Sequence, residues 1–457
     1  MIRKQSKSLI EWYNSKRRKP LVIWGARQVG KTYLVKDLFL KDNFKDYVYI
    51  DLKIDKEACD FFKTTCNPED YLKYIQLRYH KTISNNVPLV FDEVQQCHNV
   101  LTALKYFCQD HPELPVIATG SMVRLSLGES DPDFLFPVGK INSINLYPLT
   151  FEEYLMNKNE MLYEMIKNGY KNKSPLEPVY HNMALDALYE FLSIGGMPEV
   201  VDAFLTRDSY EEVVNVRTEI YNNYIRDMES YNISNEMILK TRNVYMHIYE
   251  QLNKENKNFK ITRIDKGKSN RDYFSAYNWL ELANVVYRSN KKDGKVRFPL
   301  TQENEGLFRL YLSDPGMFSY ESNVSDVDFF VKDKRNTLAG IFYENYVADE
   351  FVAKGISLYY WCGKYSFEFE FIVQNQDRIV PIDVKKTGGK LNSLKEFRNS
   401  NPKYVAVKIS ANNYGFDKEN LVLTIPLYEV FMLADDIAKD VPLYWKTTLV
   451  NAKVFCY

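Results

Sequence analysis

One stretch constrains this chain more than any other. Gly25, Ala26, Arg27, Gln28, Val29, Gly30, Lys31 and Thr32 follow directly on the apolar run Leu21–Trp24, and a helical pattern begins at Tyr33. The spacing is GxxxxGK[ST], set between a strand and a helix. Its glycines let backbone N–H groups wrap around phosphate oxygens, and the N-terminus of the helix adds the positive end of its dipole. Lys31 is placed to reach β- and γ-phosphates, and Thr32 to offer a hydroxyl to a metal ion. The implied ligand is a nucleoside triphosphate, ATP with Mg2+.

A loop of this kind belongs at the edge of a parallel sheet. Three more apolar runs of strand length follow, at 47–52, 88–91 and 115–119, with helical patterns between them. That alternation predicts an α/β domain with a mostly parallel sheet. The third strand, which continues from Leu89, ends in Asp92 and Glu93. Asp92 at its tip is placed to hold magnesium, and Glu93 beside it to take a proton from an attacking water. The fourth ends in Gly120-Ser121, where the hydroxyl of Ser121 is a candidate to sense the γ-phosphate or orient that water. Asn290-Lys291-Lys292-Asp293 matches a guanine-specificity motif, but it stands far from the loop and just before Gly294, so a hairpin turn explains it better.

Other features bound the rest. At 457 residues the chain is long for one core, so two to four domains are expected. Lys plus Arg and Asp plus Glu both number 60, so overall charge selects no partner and any basic surface must be local. Six scattered cysteines without a CxxC pair suggest reduced thiols and a cytoplasmic protein. No apolar run is long enough to span a bilayer. The five histidines form no spaced metal motif.

Further stretches stand in a particular order: VFDEVQQ at 90–96, ATGSM at 118–122, FPVGKINSINLYPLTFEEYL at 136–155, GGMPEVV at 195–201, LFRLYLSDPGM at 307–317 and IFYENYVADEF at 341–351. With them the chain resembles AAA-superfamily ATPases of bacteria and archaea that carry a C-terminal domain of unknown function. The resemblance implies ATP binding, ATP hydrolysis and a restriction-endonuclease-like C-terminal domain. The expected organisation is an AAA-type domain over 1–155, a helical lid-like segment over 156–236, a winged helix over 237–306 and a nuclease-like α/β domain over 307–457. Many relatives have Gly-Arg where this chain has Gly139-Lys140, a point charge in place of a planar fork. Lys140, Arg124 and Arg226 are the candidates for a residue acting across a subunit interface in an oligomer.

The middle of the chain is basic. Residues 251–300 hold 12 Lys or Arg against 5 Asp or Glu. Two helical stretches and a pair of strand-like runs suit a winged helix, in which Lys254, Lys257, Lys260, Lys266, Lys268 and Arg271 would meet DNA phosphates. The bland alternative is a domain-packing module whose charges only solvate it.

The C-terminal part carries alternating runs at 367–373 and 379–385, which predict a hairpin. With Asn375-Gln376 as its two-residue turn, Glu370 stands opposite Pro381 and shares a face with Glu368, Asp383 and Lys385. This resembles the PD-(D/E)XK nuclease signature, with Glu370 in the first acidic position, Asp383-Val384-Lys385 as the second motif and Glu344 as the acidic residue of the preceding helix. Glu344, Glu370 and Asp383 would then hold a metal and Lys385 would assist catalysis. Relatives more often have Asp at the first position and Glu at the second, so each carboxylate here differs in reach by one methylene. Two readings follow for this half: a DNA processor, or an interaction module for a protein partner that cuts nothing.

Overall fold

The computed structural model describes residues 1–121, 137–207, 210–230, 234–301, 306–323, 339–364, 367–385 and 392–443. The described chain divides into two compact units. One comprises Met1–Pro148 with Arg226–Ile233 and Asn278–Val285, and the other comprises Leu149–Ile225, Ser234–Tyr277 and Val286–Tyr457.

The first unit runs α1 (Gln5–Asn14), β1 (Leu21–Trp24), α2 (Tyr33–Lys41), β2 (Val48–Asp51), α3 (Lys56–Phe62), α4 (Pro68–Tyr79), β3 (Leu89–Asp92), α5 (His98–Asp110), β4 (Val116–Gly120) and β5 (Asn142–Asn145). All five strands are parallel, in the order β2-β3-β4-β1-β5. The strands expected from sequence are present to within a residue or two. Every residue of β1, β3 and β4 is buried, as a sheet covered on both faces requires. One of its faces packs Val22, Trp24, Ile50, Phe62, Tyr71, Phe91, Leu104 and Phe107 into a continuous core. The order matters for the site: β4 lies between β1, which feeds the glycine loop, and β3, which ends in the two carboxylates. Three strand tips therefore meet at one edge.

From Leu149 on the chain runs through helices α6 (Phe151–Lys158), α7 (Glu160–Asn172), α8 (Pro178–Ile194), α9 (Pro198–Arg207), α10 (Tyr210–Ser230), α11 (Asn235–Met246), α12 (Ile248–Leu252) and α13 (Phe274–Leu282), the last residues of α10 and of α13 being counted with the first unit. Thr150 starts α6 with a capping box, its hydroxyl accepting from Glu153 N–H while Glu153 reaches back. After these come β6 (Val286–Asp293), β7 (Phe308–Leu312), α14 (Pro315–Glu321), α15 (Ala339–Ala353), β8 (Tyr359–Cys362), β9 (Glu368–Phe369), β10 (Phe371–Asn375), β11 (Arg378–Val384), α16 (Asn392–Ser400), β12 (Ala406–Ser410), β13 (Gly415–Asp417), β14 (Val422–Pro426) and α17 (Val430–Ala438). They form two mixed sheets, β7-β6-β8-β9 and β10-β11-β12-β14-β13. The first takes β6 from the basic middle stretch and β8 from beyond residue 307, paired in parallel.

Two of the ordered sequence motifs meet in the second unit. Asp314 accepts hydrogen bonds from Gly196 N–H at 2.6 Å and Met317 N–H at 2.9 Å. A Cβ on Gly196 would stand 2.0 Å from the Leu149 carbonyl, so only glycine lets these backbones touch. The motifs at 195–201 and 307–317 are two halves of one packing joint. No described helix is long and apolar enough to cross a membrane, and the five cysteines among the described residues are free thiols.

Candidate functional site

The loop between β1 and α2 is built as its sequence demands. Gln28 (φ 62°) and Gly30 (φ 89°) take left-handed backbone, which turns the chain around a central space. A Cβ on Gly25 would lie 2.4 Å from the Leu146 carbonyl, so the loop closes tightly on the segment after β5. Lys31 is buried and its ammonium donates to the Gly25 and Ala26 carbonyls at 3.0 and 2.8 Å. Burial pulls that ammonium down to about 8, while Glu93 and Asp92 push it back up. An incoming polyphosphate would push it up further.

Asp92, also buried, is the hub. Its carboxylate accepts from Thr32 Oγ1 at 3.2 Å, from the Glu93 N–H at 2.9 Å, and from the hydroxyls of Tyr49 and Thr119. Burial and then the neighbouring Asp92 hold the Tyr49 phenol well above its ordinary range, so it stays a donor. All four donors are neutral, and they satisfy the carboxylate without cancelling its charge. Glu93 has left-handed backbone (φ 57°) and is held by the side chain of Gln95. The Ser121 N–H donates to Gln95 Oε1 at 3.3 Å, and among the described residues its buried hydroxyl has no hydrogen-bond partner. A cavity of about 650 Å³ opens beside these groups, lined by Thr32, Lys36, Tyr49, Asp51, Asp92 and Glu93.

The structure thus brings together Lys31, Thr32, Asp92 and Glu93, as the sequence predicts, and adds Tyr49, Thr119 and Gln95. Thr119 and Gln95 lie inside motifs that the sequence reading quotes, but a lone Thr or Gln carries no signal there. Tyr49 sits mid-strand and is unmarked. Of the other candidates, Lys140 and Arg226 are described in the first unit, and Arg124 lies outside the described residues.

The C-terminal carboxylates gather inside the second unit. Glu370 stands where the chain leaves β9 for β10, at the passage from one mixed sheet to the other. The hairpin register differs from expectation: Asn375 pairs with Arg378, so the turn is Gln376-Asp377, with Gln376 at φ 57°. The reason is Asn375 itself. Its amide donates to the Val441 carbonyl at 2.8 Å and accepts from Leu443 N–H at 3.2 Å, which keeps it in the strand. Extending the register sets Glu370 opposite Asp383 rather than Pro381. Glu370 accepts from Val384 N–H at 3.0 Å and from Lys385 Nζ at 3.1 Å, and Lys385 also pairs with Asp383 at 3.1 Å.

Two more cations enter from outside the motif. Lys257 Nζ lies 2.5 Å from Glu344, 3.5 Å from Glu368 and 3.9 Å from Glu370. Arg309, 1% exposed, pairs with Glu344 at 3.1 Å and with Glu368, and its guanidinium stacks 4.1 Å over Tyr360. Burial would push Glu370 up, but Lys385 and Lys257 outweigh it and hold the carboxyl low; burial and then Glu370 push Asp383 up. Lys257 is therefore not a surface phosphate contact. Its buried pairing replaces that expectation, while Lys266, Lys268 and Arg271 remain exposed. Among the described residues no group of three or more His, Cys, Asp or Glu is arranged to hold a metal ion.

A glycine loop, a buried aspartate at a neighbouring strand tip and an intervening strand are the arrangement of a P-loop nucleotide-binding domain. A family model described as an AAA domain matches residues 17–155, and two models described as domains of unknown function, DUF8612 and DUF4143, match 185–328 and 339–428. The chain is 24% identical over 432 residues to an uncharacterized protein, MJ1544, of Methanocaldococcus jannaschii, covering 89% of this chain and 87% of that one. Among solved structures it is similar to a Walker-type ATPase of Pyrococcus abyssi (14% identity, 70% of this chain and 95% of that chain, TM-score 0.42). It is also similar to the Aeropyrum pernix Orc1 protein solved with DNA (13% identity, 73% and 94%, TM-score 0.31). Residues 17–155 are thus similar to an AAA domain, and the two regions that follow are similar to families with no stated role.

Proposed function

We propose that this chain hydrolyses ATP with Mg2+ at the loop of residues 25–32, and that its nucleotide state governs what the C-terminal half holds. The contact between Thr32 Oγ1 and Asp92 at 3.2 Å, beside Lys31, carries the reading. These are hard oxygen donors on adjacent elements, which suits a small dication that keeps several waters. When bound, Mg2+ neutralises charge on the β- and γ-phosphates. Lys31 trades its loop carbonyls for phosphate oxygens, Thr119 and Tyr49 keep Asp92 in place, and Glu93 accepts the proton of the attacking water as ADP and phosphate form. The hydroxyl of Ser121 is a free donor for the γ-phosphate. Lys31→Ala should weaken ATP binding about tenfold to a hundredfold, the worth of a charged hydrogen bond. Glu93→Gln should bind normally but turn over about 10²–10⁴-fold more slowly. Calorimetry and phosphate release test both; a folded Lys31→Ala chain with unchanged affinity sinks the assignment.

For the C-terminal half, a module that binds without cutting is favoured over a working nuclease. The supporting observation is the Lys257 ammonium seated among Glu344, Glu368 and Glu370, so that positive charge already stands where a metal would bind. The remaining basic residues of a winged helix over 237–306 would meet DNA phosphates or an acidic protein face. Incubation with duplex, single-stranded and branched DNA in Mg2+ or Mn2+ should give no nicks, and nicking lost in Asp383→Ala would restore the nuclease.

A further inference from the structure

Gln95 has no role in the reading above, yet its carboxamide is used at both ends. Nε2 donates to Glu93 Oε2, and Oε1 accepts from the Ser121 N–H at 3.3 Å. The orientation of this amide follows from its neighbours. A backbone N–H can only donate, so oxygen must face Ser121 and the NH2 must face the carboxylate. Gln95 is 4% exposed. Its place is prepared from the β4 side as well: a Cβ on Gly120 would stand 2.5 Å from Gln95 Oε1 and 3.1 Å from Val94 Cγ2. Glycine at that position is what lets the carboxamide reach across. The short turn Val94–Gln96 brings residue 95 back beside Glu93, whose backbone is held in the left-handed region that non-glycine residues rarely occupy.

We propose that Gln95 is a positioning residue for Glu93, tying the proton acceptor to the tip of β4. The inference rests on Glu93 being that acceptor. Through it, the carboxylate that activates water is fixed to Ser121, whose buried hydroxyl is free to meet a γ-phosphate. A shift of the β4 tip on nucleotide binding is passed directly to the base, because one amide spans both.

The test compares wild type with Gln95→Met, Gly120→Ala and Glu93→Gln, measuring nucleotide affinity by calorimetry and kcat. Gln95→Met keeps the volume and removes both bonds. It should lower kcat about tenfold to a hundredfold, the cost of a misplaced reacting group, with ATP affinity within about twofold of wild type. Gly120→Ala should reproduce the loss of turnover at near-normal affinity with Gln95 intact; if it does not fold, Gln95→Met still decides. A Glu93→Gln chain that turns over at the wild-type rate overturns the assignment of the base, and this proposal with it. Loss of turnover in Glu93→Gln beside an unchanged rate in Gln95→Met overturns the positioning role alone. Loss of nucleotide binding in Gln95→Met would assign the residue to the fold and also overturn it.

Discussion

Asp92 and Glu370 are both carboxylates buried to within 3% of full occlusion, yet one is surrounded by neutral donors and the other by cations. Around Asp92 stand hydroxyls of Thr32, Tyr49 and Thr119 and a backbone N–H. They satisfy its lone pairs and leave its charge, and a buried uncancelled charge draws a cation. Around Glu370 stand Lys385 and Lys257, and Arg309 joins through Glu344 and Glu368. There the charge is met from within the chain. Residue types alone would make both places metal sites; the partners separate them. Glu429 is a third case. Among the described residues neither of its oxygens has a hydrogen-bond partner, and burial lifts the carboxyl to about 9, so it answers by keeping its proton.

The largest effect should come from Lys257. Lys257→Ala leaves Glu344 and Glu370, each 2% exposed, short of a partner, and breaking a buried pair from one side costs about 3–5 kcal/mol. Denaturant unfolding of the full chain measures this on the transition of the second unit. A loss below about 1 kcal/mol would mean that water reaches the cluster, and the contrast with Asp92 would fail. Pairing the substitution with Glu344→Gln should recover part of the loss, because the unmatched charge goes with it.

How much of this was legible in the sequence follows from distance along the chain. Residues 25–32 announce themselves because one turn of contiguous backbone does the work, and Asp92 and Glu93 because an apolar strand ends in them. Tyr49 and Thr119 reach Asp92 only through the strand order β2-β3-β4-β1-β5, which no spacing encodes. The C-terminal motif was readable as a set, but its register was not, since the turn was moved by what Asn375 binds 66 and 68 residues later. Lys257 was assigned to phosphates because it lies in a basic run; its true partner Glu344 stands 87 residues away. A buried lysine and a solvated one look alike in sequence. Glu429, between two apolar stretches, carries no mark at all.

Glu429 gives the next effect in size. Its folded-state value of about 9 lies above the ordinary 4.5. Between those values the unfolded chain has released the proton and the folded chain still holds it. The folded state thus binds more protons, and stability falls as pH rises through that window. Glu429→Gln is neutral at every pH and should remove this part of the dependence, so that its stability relative to wild type rises steadily from pH 5 to 9. Unfolding curves from pH 5 to 9 check it. Parallel curves for the two chains would show that Glu429 ionises freely and is not a third solution to burial.

The smallest effect tests the neutral-donor idea where it is most exposed to failure. Tyr49→Phe removes one hydroxyl from Asp92 and leaves the ring, which Lys36 covers at 5.3 Å. Tyr49 and Thr32 both donate to the same oxygen, Oδ2, so Tyr49 competes with any cation for those lone pairs. Freeing that oxygen should tighten the Mg2+ dependence of ATP binding by about twofold to tenfold, the net worth of one neutral hydrogen bond. Calorimetric titration of ATP at a series of Mg2+ concentrations measures it. Weaker Mg2+ dependence instead would mean that Tyr49 aims the carboxylate, and that the donors around Asp92 act by placing its charge as well as by leaving it uncancelled.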